Sequence, residues 1–224
     1  MAGDGRGAVH LAWLDLRNKK TELWGASSKD GGKTWGTNAQ IYKSPDEHIC
    51  ECCSPSIAVD ARGNVWAMWR NWLNGARDLY VATSADGGKT YGAGKKLGAG
   101  SWLLKGCPMD GGDLSIGPNG KVITVWRRET SVYTADDSGP EKLLGANSLQ
   151  PVVAIANGTT YFVWQKGVKD SSKLMLKKGD GAPQVLADSG SYPAIATASP
   201  QSPPLVVWEA TIEGSKTIFC QRLE

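Results

Sequence analysis

The sequence predicts an all-β fold, a β-propeller of about five four-stranded antiparallel blades. Three observations predict it. An apolar strand ending in Trp recurs five times, most copies are flanked by further short strands, and two turns share one eight-residue pattern. The composition agrees: 28 Gly and 10 Trp against 2 Phe in 224 residues suits a chain of short strands and tight turns.

The recurring strands are residues 8–13, 64–69, 121–126, 160–164 and 204–208, closing on Trp13, Trp69, Trp126, Trp164 and Trp208, at spacings of 56, 57, 38 and 44. Four of them follow a shorter apolar strand across a turn, at 56–59, 114–116, 152–155 and 194–196. A third strand follows each Trp after a polar loop, at 22–26, 79–82, 131–134, 174–176 and 217–220, and a weak fourth is visible in most units. Repeated four-strand meanders are the mark of propeller blades. A β-sandwich has no reason to set the same Trp at the same strand end five times. On this pattern the first unit begins at its second strand and the last ends after its third. A sixth blade is then either completed by the two termini together or lies upstream of Met1. The expectation is an upstream portion, with residues 1–224 as a single propeller domain.

Two turns between third and fourth strands are strongly specified. Residues 28–35 and 84–91 both read S-x-D-x-G-x-T-[WY], with Asp30 and Asp86 at the third position. The Asp carboxylate accepts backbone N–H bonds across such a turn, Gly supplies positive φ, and the final aromatic is expected to pack between sheets. Residues 135–139 and 178–181 look like decayed copies. With these motifs the chain resembles the sialidase-like superfamily of Asp-box (BNR repeat) propellers over nearly its whole length. That resemblance implies a propeller; the Asp-box is a signature of fold and is no evidence of catalysis.

In a four-strand meander the 1–2 and 3–4 turns lie at one end of the sheet, with the 2–3 loops and blade connections at the other. Function is expected at the second end. It gathers Asp15 and Arg17; Arg70, Trp72, Arg77 and Asp78; Arg127, Arg128 and Glu129; Glu209; and the connections 46–53 and 102–113, with His48, Cys50, Cys52, Cys53, Trp102 and Cys107. Three readings of the cysteines are open. They form disulfides, such as one from Cys50 or a neighbour to Cys107; or, with His48, they bind a soft transition metal such as Cu or Zn; or they are a redox-active thiol pair. Connectivity cannot be read from sequence. Cys220, in the last strand, is expected to be buried or the odd unpaired thiol.

Sialidases, which the chain resembles, hold a substrate carboxylate with arginines, because the guanidinium fork matches it. Arg17, in Asp15-Leu16-Arg17, resembles the family's stretch after the first blade's second strand. Arg70, Arg77 and Arg127 are further cationic candidates, and Glu129 and Glu209 supply carboxylates. The family's Arg-Ile-Pro motif is absent, no acid/base Asp follows Arg17, and no Tyr stands beside a Glu. The expectation is therefore a sialidase-like propeller, extracellular or periplasmic, that binds a ligand or metal at its cysteine-rich face and is not a competent sialidase. Arg70, Arg77, Arg127, Trp72 and Trp102 are its ligand-binding candidates. The alternatives are an exo-sialidase or related glycoside hydrolase, with catalytic candidates Arg17, Arg70, Arg127, Glu129 and Glu209, and a protein-interaction scaffold.

The bulk properties narrow the partners to a small molecule, a glycan, a metal or a protein. A formal charge of +3 with no run of five like charges leaves no footprint for nucleic acid, and no apolar stretch spans a bilayer. The first residues hold no apolar signal segment, so the oxidising compartment is inferred from the cysteines.

Overall fold

The computed structural model describes residues 1–46, 48–136, 139–167 and 172–224. Among them every regular element is a strand, and no helix is long and apolar enough to cross a membrane. The strands form five successive antiparallel sheets in simple meander order, the β-propeller class that the sequence predicts. The chain divides into two compact units, Met1–Asp113 and Leu114–Glu224.

The first unit holds two sheets. One comprises β1 (Ala2–Gly3), β2 (Val9–Asp15), β3 (Glu22–Ser28) and β4 (Ala39–Tyr42). The other comprises β5 (Ser56–Val59), β6 (Val65–Arg70), β7 (Leu79–Ser84) and β8 (Lys95–Lys96). The first sheet thus has four strands, where the sequence pattern starts it at the second. β1 pairs Ala2 with His10 and Gly3 with Val9. Its turn is closed by Asp4, whose Oδ1 accepts the N–H of Arg6 at 2.8 Å and of Ala8 at 2.9 Å. A two-residue strand has no periodicity to detect, which is why the pattern misses it.

The second unit opens at the boundary with β9 (Asp113–Ile116), followed by β10 (Val122–Arg128), β11 (Ser131–Asp136) and β12 (Lys142–Ala146). A second meander is β13 (Ser148–Ala156), β14 (Thr159–Lys166), β15 (Lys173–Lys178) and β16 (Gln184–Ala187). The last sheet has three strands, β17 (Ser191–Ala196), β18 (Leu205–Ile212) and β19 (Ser215–Arg222).

The recurring tryptophans earn their place by burial: Trp69, Trp126, Trp164 and Trp208 are all buried, while Trp13 is half-buried and donates its indole N–H to Asp15. In the first unit Trp69 packs with Leu23, Ile41, Ile49, Ala67 and Ala82, joining the two sheets through one core. In the second, Trp164 packs with Val125, Val153 and Phe162, and Trp208 with Tyr161, Val163 and Leu174. Removing one such fully buried ring costs about 3–5 kcal/mol.

Both specified turns close through their carboxylates. Asp30 accepts the Thr34 N–H at 2.8 Å and its hydroxyl at 2.6 Å, and Asp86 repeats this with Thr90 at 3.0 and 2.6 Å. Ser28 and Ser84 each accept a glycine N–H, from Gly32 at 2.9 Å and Gly88 at 2.8 Å. Gly88 is required twice over: its φ is 84°, and a Cβ there would strike Ser27 and His10. The closing aromatics differ. Tyr91 packs on the first unit's core as expected, but Trp35 is exposed, so the expected inter-sheet packing holds for only one of the two. Of the decayed copies, Asp136 pairs with Lys121 at 3.0 Å, while Asp137 and Ser138 lie outside the described residues.

Candidate functional site

In the first unit, where β6 gives way to β7, three irregular segments meet: residues 43–55, the 71–78 loop and residues 97–112. Backbone bonds knit them. The Cys50 N–H donates to the Arg70 carbonyl at 3.0 Å and the Arg77 N–H to the Trp102 carbonyl at 2.8 Å. Asp78 accepts the Trp102 N–H at 2.9 Å, and Asp46 accepts the Asn74 N–H at 2.7 Å. Glu47, in the same connection, lies outside the described residues. Gly111 has no room for a side chain because its α-carbon rests on the Ser54 carbonyl, and Ser56 donates its hydroxyl to the Gly112 carbonyl at 2.8 Å. These contacts press the second cysteine-bearing segment onto the first.

Four sulfurs come together as a result. Cys52 and Cys107 form a disulfide with a Cα–Cα distance of 6.3 Å. Cys50 and Cys53 are free and buried. The Cys50 sulfur lies 3.1 Å from that of Cys53 and 3.5 Å from that of Cys52, with Cys52 and Cys53 at 3.9 Å. Exposure rises outward, from buried Cys50 and Cys53 through half-buried Cys52 to exposed Cys107. Cys220 stands apart as an exposed free thiol; the expectation of an unpaired cysteine holds and that of burial does not.

Two buried arginines are committed to this centre. Arg77 donates through Nη1 to the Cys50 sulfur at 3.1 Å. Arg70 donates through Nε to the Asp110 carbonyl at 2.8 Å and through Nη1 to the Arg77 carbonyl at 2.7 Å, and it also hydrogen-bonds Cys53. The sulfurs of Cys50 and Cys53 are hydrogen-bonded to each other at 3.1 Å. The hydrogen bond with Cys53 chiefly, then the Cys52 N–H and Arg77, against the opposing effect of burial, bring the Cys50 thiol down to about 6. Cys53 is pushed well up by its hydrogen bond with Cys50 and by burial. Burial likewise pulls Arg70 downward, opposed by Asp110 and the two sulfurs.

Several residues expected to meet a ligand lie against the protein's own groups. Arg70 and Arg77 turn inward, with 1% and 6% exposure, and do not line an open mouth. Their guanidiniums cover the aromatic rings expected to stack on a sugar: Arg77 lies 4.5 Å from the Trp72 ring and Arg70 5.4 Å from that of Trp102. His48 stands beside Trp72, ring centres 6.0 Å apart, and is not among the metal-competent group formed by Cys50, Cys52 and Cys107. Arg17 forms a fork with Asp15, at 2.9 and 2.7 Å, over the Trp24 ring at 4.0 Å. That fork, with the Trp13 N–H, holds Asp15 well below the usual carboxylate range.

The remaining candidates belong to the second unit. Arg127 donates through Nε to the Glu129 carbonyl at 2.6 Å, and Glu129 has a positive φ of 56°. Glu209 is paired with Lys216 and lines a cleft of about 360 Å³ with Gln165, Ser172 and Tyr192. Tyr192 was hidden from sequence reasoning because it is far from Glu209 along the chain; strand pairing of Ser191 with Glu209 brings it near. Asp110 was also missed as a structural acceptor. Its only sequence signal is its place between Cys107 and the Gly111-Gly112 pair.

No protein-family model matches the sequence, and none of the curated proteins matches it. Solved structures do. A protein of unknown function from Dyadobacter fermentans DSM 18053 superposes with a TM-score of 0.62 at 15% identity, covering 99% of this chain and 81% of that one. An endo-arabinase from Bacteroides thetaiotaomicron VPI-5482 gives 0.58 at 13% identity, covering 97% and 90%. The leech intramolecular trans-sialidase, complexed with 2,7-anhydro-Neu5Ac, gives 0.57 at 12%, covering 91% and 36%. The neighbours are thus β-propeller glycoside hydrolases alongside a protein of unknown function. At these identities the likeness is one of fold.

Proposed function

We propose that the chain is an exported, non-hydrolytic sialidase-like propeller whose working site is the sulfur centre of its first unit, and that this centre performs thiol–disulfide exchange. The observation that carries the reading is the Cys50 sulfur, 3.5 Å from the disulfide sulfur of Cys52 and held by Arg77. A thiolate is the nucleophile in exchange, and adjacent cations favour it. In the step, the Cys50 thiolate attacks Cys52; the Cys50–Cys52 bond forms as the Cys52–Cys107 bond breaks. The electron pair leaves on Cys107 and no net oxidation occurs. Cys107 is exposed, so its freed thiolate meets thiols or disulfides of outside partners.

The arginines support the non-hydrolytic part of the reading. Arg17, Arg70, Arg77 and Arg127 each donate to the protein's own acceptors. The disulfide supports an oxidising compartment. The deciding experiment labels oxidised, metal-free protein with N-ethylmaleimide and maps its peptides without reduction. Labelling of Cys107 together with a Cys50–Cys52 bond is expected in the wild type, and labelling of Cys220 alone in C50S. A wild type in which Cys107 never becomes labelled sinks the reading.

A hydrolytic reading keeps one observation in its favour, the cleft that holds Tyr192 and Glu209. A fluorogenic sialoside decides it: release that is lost in both Y192F and E209Q would move the working site to the second unit.

A further inference from the structure

The geometry points to a second use for the same sulfurs: with the Cys52–Cys107 bond reduced, Cys50, Cys52, Cys53 and Cys107 form a closed thiolate site for one thiophilic d10 cation, Zn(II) or Cu(I). The inference uses the atoms of the exchange reaction but does not require that exchange to occur.

Spacing is the first argument. Four sulfurs bound tetrahedrally at about 2.3 Å from Zn(II) stand about 3.8 Å from one another. Here the three sulfurs of the 50–53 turn are separated by 3.1, 3.5 and 3.9 Å. The sulfurs of Cys50, Cys52 and Cys107 lie within 4.8 Å of one another. Cys53 lies outside that group but only 3.1 Å from Cys50, so its side chain must turn toward the other three to complete a four-sulfur set.

Charge is the second. Four thiolates around Zn(II) carry two net negative charges, costly beside the buried Cys50 and Cys53 without compensation. Arg70 and Arg77 supply two buried positive charges, and each already hydrogen-bonds one of the sulfurs. These two buried positive charges equal the two net negative charges of the filled site. Backbone N–H groups of Cys52 and Asp110 also donate to Cys50 and Cys53, respectively. Such donors orient metal-bound sulfurs.

Ligand chemistry is the third. A site made only of sulfur selects soft ions and rejects Mg(II) and Ca(II). His48, beside Trp72, contributes nothing to it. Filling the site requires a reductant, a dithiol or a phosphine, to supply two electrons to the disulfide, and metal binding then displaces the thiol protons. The oxidised centre offers only Cys50 and Cys53 as thiols, so the same reduction that opens the disulfide creates the metal site.

The test is native mass spectrometry of the full chain under anaerobic conditions, with Zn(II) or Cu(I) added to phosphine-reduced and to oxidised protein. One ion per reduced chain and none per oxidised chain is expected. Co(II) substitution of the reduced protein should give sulfur-to-metal charge-transfer absorption. C50S and C53S should each weaken Zn(II) binding by at least the roughly 10–100-fold that even outer-shell changes cost, while C220S binds like the wild type. Reduced wild type that takes up no ion, oxidised protein that binds equally well, or full affinity in both C50S and C53S would overturn the inference. If those two variants do not fold, the comparison of oxidised with reduced wild type decides alone. Maleimide labelling of Cys107 in metal-free protein reads the exchange reaction separately, so either idea can fail without the other.

Discussion

Arg77 donates a hydrogen bond to the sulfur of Cys50 across 3.1 Å, with its guanidinium stacked 4.5 Å from the Trp72 ring. A loop arginine so placed is 6% exposed and turned away from solvent. It is a fixed positive charge inside the protein, and its partner is a sulfur. Arg70 repeats the arrangement beside Cys53, over Trp102. Two arginine–tryptophan pairs thus stand beside the two buried free thiols, with the more exposed disulfide on the outward side.

Replacing Arg77 tests whether that charge drives exchange. Hydrogen bonds to charged groups are worth about 1.5–3 kcal/mol, so Arg77→Gln should slow the appearance of labelled Cys107 by about tenfold to a hundredfold. Arg77→Lys, which keeps the charge and loses the planar fork, should recover part of the rate. Circular dichroism checks that both variants are folded. Equal labelling rates in the wild type and Arg77→Gln would remove Arg77 from the mechanism.

The disulfide has a separate, structural contribution. It links positions 55 residues apart within the first unit, and closing a loop of that size in the unfolded chain stabilises the native state by about 4 kcal/mol on the chain-entropy argument. Cys107→Ser should lower the denaturant-derived unfolding free energy by about that amount, and reduction of the wild type should lower it similarly. Added reductant should change the variant little. A variant as stable as the oxidised wild type would mean that the sheets' own packing supplies the stability of this region.

The blades were legible because burial repeats with the chain. Trp69, Trp126, Trp164 and Trp208 face cores at the same strand end, and any sequence that buries them so must show the period. β1 was not legible, since its two residues are held by the Asp4 turn and by pairing with Val9 and His10. At the site, the gathering of cysteines and arginines at the strand 2–3 loop end of the first unit followed from meander topology. The pairing of Cys52 with Cys107 and the inward turn of Arg70 and Arg77 did not. Both depend on how three irregular segments pack, and loop arginines look alike in sequence whether their partner is solvent, a ligand or a buried sulfur.

Gly111 is the contact that brings those segments together. A Cβ there would overlap the Ser54 carbonyl, which is backbone and cannot rotate away. Gly111→Ala should therefore cost about 1–3 kcal/mol as overpacking and raise the fraction of chains with reactive Cys52 and Cys107. Gly106→Ala is the matched control in the same segment, because its Cβ would meet only Leu104 at an ordinary 3.8 Å. Thermal melting with a thiol count reads both. Equal melting of the two variants would show that the segments can separate without loss.

The two Ser-x-Asp turns predict the acid limb of stability. Hydrogen bonds from the Thr34 hydroxyl and N–H, and from Ser28, bring Asp30 down to about 2, and Asp86 is lowered in the same way by Thr90 and Ser84. A carboxyl lowered on folding binds its proton more weakly in the native state than in the unfolded chain. Its contribution is therefore complete above the unfolded value near 4 and is lost as pH falls from there through about 2. The melting temperature should fall over that window. In the double variant D30N/D86N it should be lower at pH 6 and fall less between pH 4 and 2.5, because the groups that take up protons on acid unfolding are gone. An acid limb of unchanged steepness in the double variant would place the pH sensitivity elsewhere, with Asp15, held low by its fork with Arg17, as the next carboxylate to replace.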